Sequence, residues 1–200
     1  MLASTSPHKL AEFRQLFRGS RVRIVPPADV AYPPQVDETG ATFLQNARIK
    51  AVVYALTCRA WCLADDSGLE VDYLGGAPGV RSARYAGPAA SDDMRNRKLL
   101  KALAEVPEAR RTARFRCAVA LAAPDGSIVY TAVRSCEGRI AHEPRGEHGF
   151  GYDPLFMVGA GDRTMAELTT DEKNDASHRG QAARAARRFL EHCLAQMPSG

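Results

Sequence analysis

Two adjacent carboxylates, Asp65 and Asp66, follow the short apolar run Trp61-Cys62-Leu63-Ala64 and precede Ser67-Gly68. The apolar run reads as a buried strand that ends at the acidic pair. Acidic side chains there are costly unless a cation or dense hydrogen bonding compensates them. The loop after a strand is also where α/β proteins tend to place ligands. The plain alternative is a solvated turn, because Asp, Ser and Gly are common turn formers. A third carboxylate, Glu38, stands just ahead of a helical stretch and could meet Asp65 or Asp66. Carboxylates gathered at a phosphate site are typical magnesium ligands, since that hard ion takes one or two of them together with substrate oxygens.

A second cluster suits the anion such an ion would accompany. Ser4-Thr5-Ser6-Pro7 joins a short strand, 1–3, to Leu10, Phe13, Leu16 and Phe17 at helical spacing. Ser6 is a good N-cap, and Pro7 suits the first helical position, where its missing N–H costs nothing. A hydroxyl-rich turn running into a helix N-terminus, with Lys9 in the first turn, makes an anion site. Lysine there opposes the helix dipole, a small cost that a bound phosphate would reverse. Many capped helices bind nothing, so the turn alone does not decide.

The positioning elements have their own signals. Thr42 and Gln45 form a capping box that starts a helix at Thr42. Phe43, Ala47, Ala51, Tyr54 and Ala55 line one stripe of it, with Asn46 and Lys50, four apart, at the stripe's edge. A lysine at such a boundary is more often a snorkelling surface residue than a site residue. Gly75-Gly76-Ala77-Pro78-Gly79 needs unusual backbone angles. Ser91 caps a further helix, with Asp92 and Asp93 in its first turn and Leu100, Leu103 and Ala104 inward. Residues 114–123 alternate as a strand, and Pro124-Asp125-Gly126-Ser127 turns them into a second strand over 128–134. In Gly149-Phe150-Gly151-Tyr152-Asp153-Pro154, two glycines let a ring protrude, either to stack on a base or as a packed aromatic turn. The last helix buries Ala182, Ala186, Phe189, Leu190, Cys193 and Leu194. His178 and Arg179 stand at its N-terminal end, an odd place for cations unless they serve a ligand.

Composition narrows the class. Two hundred residues, 45% hydrophobic and 25% charged, suit a soluble domain or two closely joined lobes. A net charge of +4 and a pI near 8.9 suit an anionic small molecule without demanding nucleic acid. A nucleic-acid patch built on Arg110, Arg111, Arg114 and Arg116 is the rival reading, but no interleaved aromatics support base stacking. No apolar run approaches the roughly 20 residues of a membrane span. The N-terminal MLASTSPHK lacks a signal-peptide layout. Five scattered cysteines form no metal-ligand pairs, so reduced thiols in the cytoplasm are expected.

Four islands carry a resemblance: ETGATFLQNARIKA (38–51), DDSGLEVDYLGGAPGVRSARYAG (65–87), FGYDPLF (150–156) and AELTTDEKNDASHRGQA (166–182). In order and spacing the chain resembles the inosine-triphosphate pyrophosphatase family, which hydrolyses non-canonical purine nucleoside triphosphates. The resemblance implies one domain over residues 1–200. Its fold would be α/β and elongated, two lobes around a long curved mixed sheet with the active-site cleft between them. It also implies a homodimer, magnesium, and cleavage between the α- and β-phosphates to give a nucleoside monophosphate and pyrophosphate. Glu38 and Asp66 match metal ligands, and Asp66 also matches the base that activates water. Asp65 and Lys50 join Asp66 in the catalytic set. Lys9 and Lys50 match the lysines that hold the triphosphate. Substrate-binding positions fall on Ser4, Thr5, Ser6, Lys9, Asn46, Ser67, Phe150, Gly151, Tyr152, Asp153, Lys173, His178 and Arg179.

The chain departs from the family pattern in three places. Ser4-Thr5-Ser6-Pro7-His8-Lys9 replaces a Thr-Gly-Asn turn and Gly-Lys, and it resembles the start of the Maf-type pyrophosphatases, which makes them the second reading. Gln45 stands where the family generally has glutamate, and Arg81 replaces a usual aromatic. Of the two carboxylates, Asp66 is assigned to metal and water and Asp65 to support, because neighbours leaving a strand point to opposite faces.

Overall fold

The computed structural model describes residues 1–29 and 33–196. Helix α1 (Pro7–Leu16) starts as its sequence dictates, with Ser6 Oγ accepting the Lys9 N–H at 3.4 Å and proline in the first turn. Helix α2 (Phe43–Cys58) has the full capping box: Gln45 N–H donates to Thr42 Oγ1, and Gln45 Oε1 accepts the Thr42 N–H. Gln45 Oε1 also takes the Ala41 N–H at 2.8 Å. An amide oxygen therefore does the capping that a carboxylate would do, and the departure at Gln45 leaves the helix start intact.

Strand β1 spans Cys62–Val71, which corrects the expected end of the strand at the acidic pair. Asp65 and Asp66 lie mid-strand, and the strand continues through Ser67 and Gly68. Trp61, taken as its first buried residue, precedes it and is 52% exposed. Helix α3 (Asp92–Ala102) is capped by Ser91; Asn96, Leu99 and Leu103 are buried, Leu100 packs partly buried against the same core as expected, and Ala104 lies exposed beyond the helix end.

Strands β2 (Thr112–Ala122) and β3 (Ile128–Ile140) are joined by a tight turn through Asp125 and Gly126, and β3 runs six residues past the expected Arg134. Strand β4 (Phe156–Val158) pairs antiparallel with the end of β3, Arg139 opposite Met157. The sheet order is β1-β2-β3-β4. A parallel bridge from Leu2 to Leu63 makes the sheet mixed. Helix α4 (Thr170–Ala176) carries a Thr169–Glu172 capping box, and helix α5 (His178–Gln196) follows at once.

The chain divides into two compact units. The first comprises Met1–Asp66, Cys117–Arg134 and the chain from Arg179 onward; the second comprises Ser67–Arg116 and Ser135–His178. The first unit packs Phe13 and Phe17 of α1 against Leu63, Val119, Leu121 and the alanines of α5. The second packs Leu69, Val71, Leu99, Leu103, Phe115, Tyr152 and Phe156.

Arg111, 1% exposed, stitches the second unit by donating to the carbonyls of Leu103, Ile140 and Ala141. Arg114 pairs with Asp72 and Glu137, Arg116 lies 3.5 Å from Glu70, and Arg110 covers the Tyr73 ring. The run that suggested a nucleic-acid patch is spent on internal contacts. No helix of the described residues is long and apolar enough to cross a membrane.

Candidate active site

In the first unit, the alternation of β1 turns Asp65 and Asp66 into different surroundings. Asp65 is fully buried, with its Oδ2 2.9 Å from Lys9 Nζ and 3.5 Å from Arg179 Nε. Arg179 in turn donates from Nη1 to Glu12 Oε2 at 2.7 Å. Burial alone would raise the Asp65 carboxyl, but Lys9, Arg179 and Lys50 outweigh it and hold it well below the usual carboxylate range. Burial likewise opposes the Arg179 charge, and Glu12 and Asp65 more than restore it.

Asp66 meets a different set. Asn46 Nδ2 donates to its Oδ2 at 3.0 Å, and Lys50 Nζ lies 3.4 Å from Oδ1 and 2.8 Å from Glu38 Oε1. Burial pushes the Asp66 carboxyl above its ordinary value and Glu38 adds to the push, while Lys50 and Asn46 pull against it. Burial works against the Lys50 charge too, but Asp66, Asp65 and Glu38 raise it. At 8% exposed, Lys50 is buried rather than snorkelling.

Asn46 is fully buried and has both ends engaged, since its Oδ1 accepts the Gly40 N–H at 2.7 Å. Expected as a substrate contact, it is bonded here to Asp66 and to the Gly40 backbone. In the Ser4-Thr5-Ser6 turn, Ser4 Oγ accepts the Ser6 N–H and Ser6 caps α1, while Thr5 is exposed. Lys9 is half-buried, and its charge is set against Asp65 rather than left to oppose the helix dipole.

Among the described residues, this cluster brings Lys9, Lys50 and Arg179 together with Glu12, Glu38, Asp65 and Asp66. Glu38 and Asp66 converge on one ammonium, and burial with mutual repulsion raises Asp66. Two carboxylates that share one ammonium fit a hard divalent cation that completes its shell with water and substrate oxygens.

In the second unit, the 149–153 loop is tightly specified. Gly149 (φ +79°) and Gly151 (φ +65°) are left-handed, and a Cβ on Gly149 would lie 2.2 Å from Asp153 Oδ2. That carboxylate accepts the Phe150 N–H at 2.9 Å and the Lys173 ammonium at 2.8 Å. Lys173 Nζ also stands 4.9 Å from the centre of the half-buried Phe150 ring. Tyr152 is turned inward, 4% exposed, and donates its hydroxyl to the Ser82 carbonyl. Its phenol anchors the loop in the core, which leaves the ring of Phe150 as the aromatic surface of the loop.

His178, at the start of α5, is stacked on Phe115 at 4.7 Å with an 11° interplanar angle. Ser67 is half-buried in β1. Arg81 is exposed on the 3-10 turn Gly79–Arg84.

Sequence reasoning missed three residues that hold others in place: Glu12, Asp92 and Asn96. Glu12 lies three residues after Lys9, on the same face of α1. Asp92 and Asn96 head the stripe 92, 96, 99, 103 of α3, where a polar residue on a buried helix face was the available signal.

Comparison with known proteins agrees with the sequence resemblance. The family model described as Ham1 family matches residues 1–189. The chain is 46% identical to the dITP/XTP pyrophosphatase of Anaeromyxobacter sp. (strain Fw109-5), with 96% of each covered. It is 44% identical to the dITP/XTP pyrophosphatase of Bacillus subtilis (strain 168), again over 96% of each. Among solved structures, the HAM1 protein from Coxiella burnetii superposes with a TM-score of 0.86 at 43% identity, covering 96% of this chain and 97% of that one.

Proposed function

The chain belongs to the Ham1 family, and on that premise we propose that it hydrolyses dITP/ITP and XTP/dXTP to the nucleoside monophosphate and pyrophosphate. That activity removes non-canonical purine nucleotides from the pool. The observation that carries the chemistry is that Asn46 and Lys50 both reach Asp66 while the same Lys50 ammonium holds Glu38.

Water attacks the α-phosphorus, the bond from that phosphorus to the bridging oxygen breaks, and the oxygen leaves with pyrophosphate. Asp66 takes the proton from the attacking water. Its raised carboxyl makes it a better base than an ordinary aspartate, and Asn46 fixes its orientation. Lys9 and Lys50 hold the triphosphate, together with Ser67 and the Ser4-Thr5-Ser6 turn that opens α1. Glu12 and Asp65 keep Arg179 charged, and the ion pair with Asp65 aims Lys9. Glu38 and Asp66 would hold magnesium, which when bound neutralises charge on the phosphoryl oxygens.

The base falls to Phe150, Asp153, Lys173, His178 and Arg179. Phe150 offers a stacking face, and cationic donors suit a 6-oxo acceptor where adenine presents an amino group instead. A site built on such donors loses hydrogen bonds to the wrong base, the strong form of selectivity. We further propose a homodimer working in the cytoplasm.

Pyrophosphate release from dITP, XTP, dGTP, dATP and dTTP, with and without magnesium, tests the reading. Strong preference for dITP and XTP is expected, with turnover abolished by chelation and restored by magnesium. Preference for dTTP would move the assignment to the Maf-type chemistry suggested by the Ser4–Lys9 turn.

A further inference from the structure

Gly151, beside Phe150, is gripped on both sides by one helix. Its N–H donates to Asp92 Oδ2 at 2.7 Å, and its carbonyl accepts from Asn96 Nδ2 at 3.0 Å. The N–H belongs to the peptide joining Phe150 to Gly151, and the carbonyl to the peptide joining Gly151 to Tyr152. Two bonds from adjacent turns of α3 therefore fix both peptide planes around a left-handed glycine, the residue type with the most backbone freedom to lose.

Asn96 makes this contact at a cost. It is 7% exposed, and among the described residues its Oδ1 has no hydrogen-bond donor. A buried acceptor left unsatisfied disfavours folding, and an apolar residue continuing the Leu99–Leu103 stripe would avoid that penalty. Stability alone does not account for an asparagine there. Gly151 is half-buried, so water can solvate its carbonyl if Asn96 is replaced by leucine.

We infer that Asp92 and Asn96 are positioning residues for base recognition, pinning Gly151 so that the Phe150 ring is held ready before the nucleotide arrives. The inference rests on the proposed role of Phe150 at the base. A preorganised ring avoids the ordering cost on binding, so the clamp acts on nucleotide affinity rather than on phosphate chemistry. Asp92 also pairs with Arg95, which itself donates to the Ala83 carbonyl, so the clamp is anchored to the body of the second unit.

The test compares wild type with Asn96→Leu, Asp92→Ala and Asp92→Asn. It measures kcat and KM for dITP, inhibition by inorganic tripolyphosphate, and melting temperature. For Asn96→Leu and Asp92→Ala, KM for dITP should rise about tenfold, the effect of one lost bond. Changes in kcat should stay within about twofold, and tripolyphosphate, which has no base, should inhibit as in wild type. Asn96→Leu should melt at or above the wild-type temperature. Asp92→Asn, whose amide oxygen can still accept the Gly151 N–H, should restore KM toward wild type.

Unchanged KM in both disrupting variants would overturn the clamp. So would a lower melting temperature accompanied by parallel losses in kcat, dITP affinity and tripolyphosphate inhibition, the pattern of a purely structural role. If wild type itself fails to distinguish dITP from dTTP, the base reading fails first, and that result is seen before any variant is made.

Discussion

Burial acts on Asp65 and Asp66 alike, yet only Asp65 meets two full cations, Lys9 and Arg179, that overcome it. Asp66 shares one ammonium with Glu38 and stays raised. The two asparagine substitutions should therefore have opposite signatures. Asp65→Asn leaves Lys9 and Arg179 short of a counter-charge and should cost about 3 kcal/mol of stability. Asp66→Asn removes the base and should cut pyrophosphate release by about 10² to 10⁴ with stability kept or improved, because the lost charge was the strained one. Urea denaturation and dITP turnover on both variants check this, and full turnover in Asp66→Asn would end the mechanism. At this scale the sequence put forward the candidate residues but not their pairings. Lys50 and Asn46 were visible as a pair on a stripe edge, whereas their burial depends on β1 lying against α2.

The starts of α1, α2 and α3 were written locally. Ser6, Thr42 and Ser91 all cap as their types require, because a cap involves only the next three residues. The same rule, applied to Thr169-x-x-Glu172, marks α4, which carries Lys173. Glu172 is held down to about 2, first by its hydrogen bonds to Arg163 and then by the Thr169 backbone and hydroxyl. A carboxyl with a depressed folded-state value stabilises the protein above its ordinary 4.5 and loses that contribution as pH falls toward 2. Melting temperature should therefore drop through that window, and Glu172→Gln should flatten that part of the curve. An identical slope in the variant would remove Glu172 from the account. Strand ends were less legible. β1 runs on through Asp65, Asp66, Ser67 and Gly68 because neighbouring strands complete its hydrogen bonds, which no local residue type announces. Cys193, expected inside the stripe of α5, is exposed near the helix end, where the helix outruns the core that buries Ala182 and Ala186.

For the whole molecule, the proposed homodimer predicts a sedimenting mass about twice the 21.7 kDa chain, whereas a single species at the chain mass would refute it. Trp61→Asp should favour the monomer if that ring lies in the interface. The +4 charge, read alone, left nucleic acid as a rival partner. The structure reduces that case by placing Arg111 in the core and Arg114 and Arg116 against carboxylates. By itself the sequence determined the starts of α1, α2 and α3 and the family, and it put forward the candidate side chains, since each resides in short runs of neighbouring residues. Only the tertiary structure decided that Lys9 faces Asp65, that Lys50 joins Glu38 to Asp66, and that α3 grips Gly151. Those contacts join residues 12 to 59 positions apart, and their electrostatics depend on the burial that folding creates.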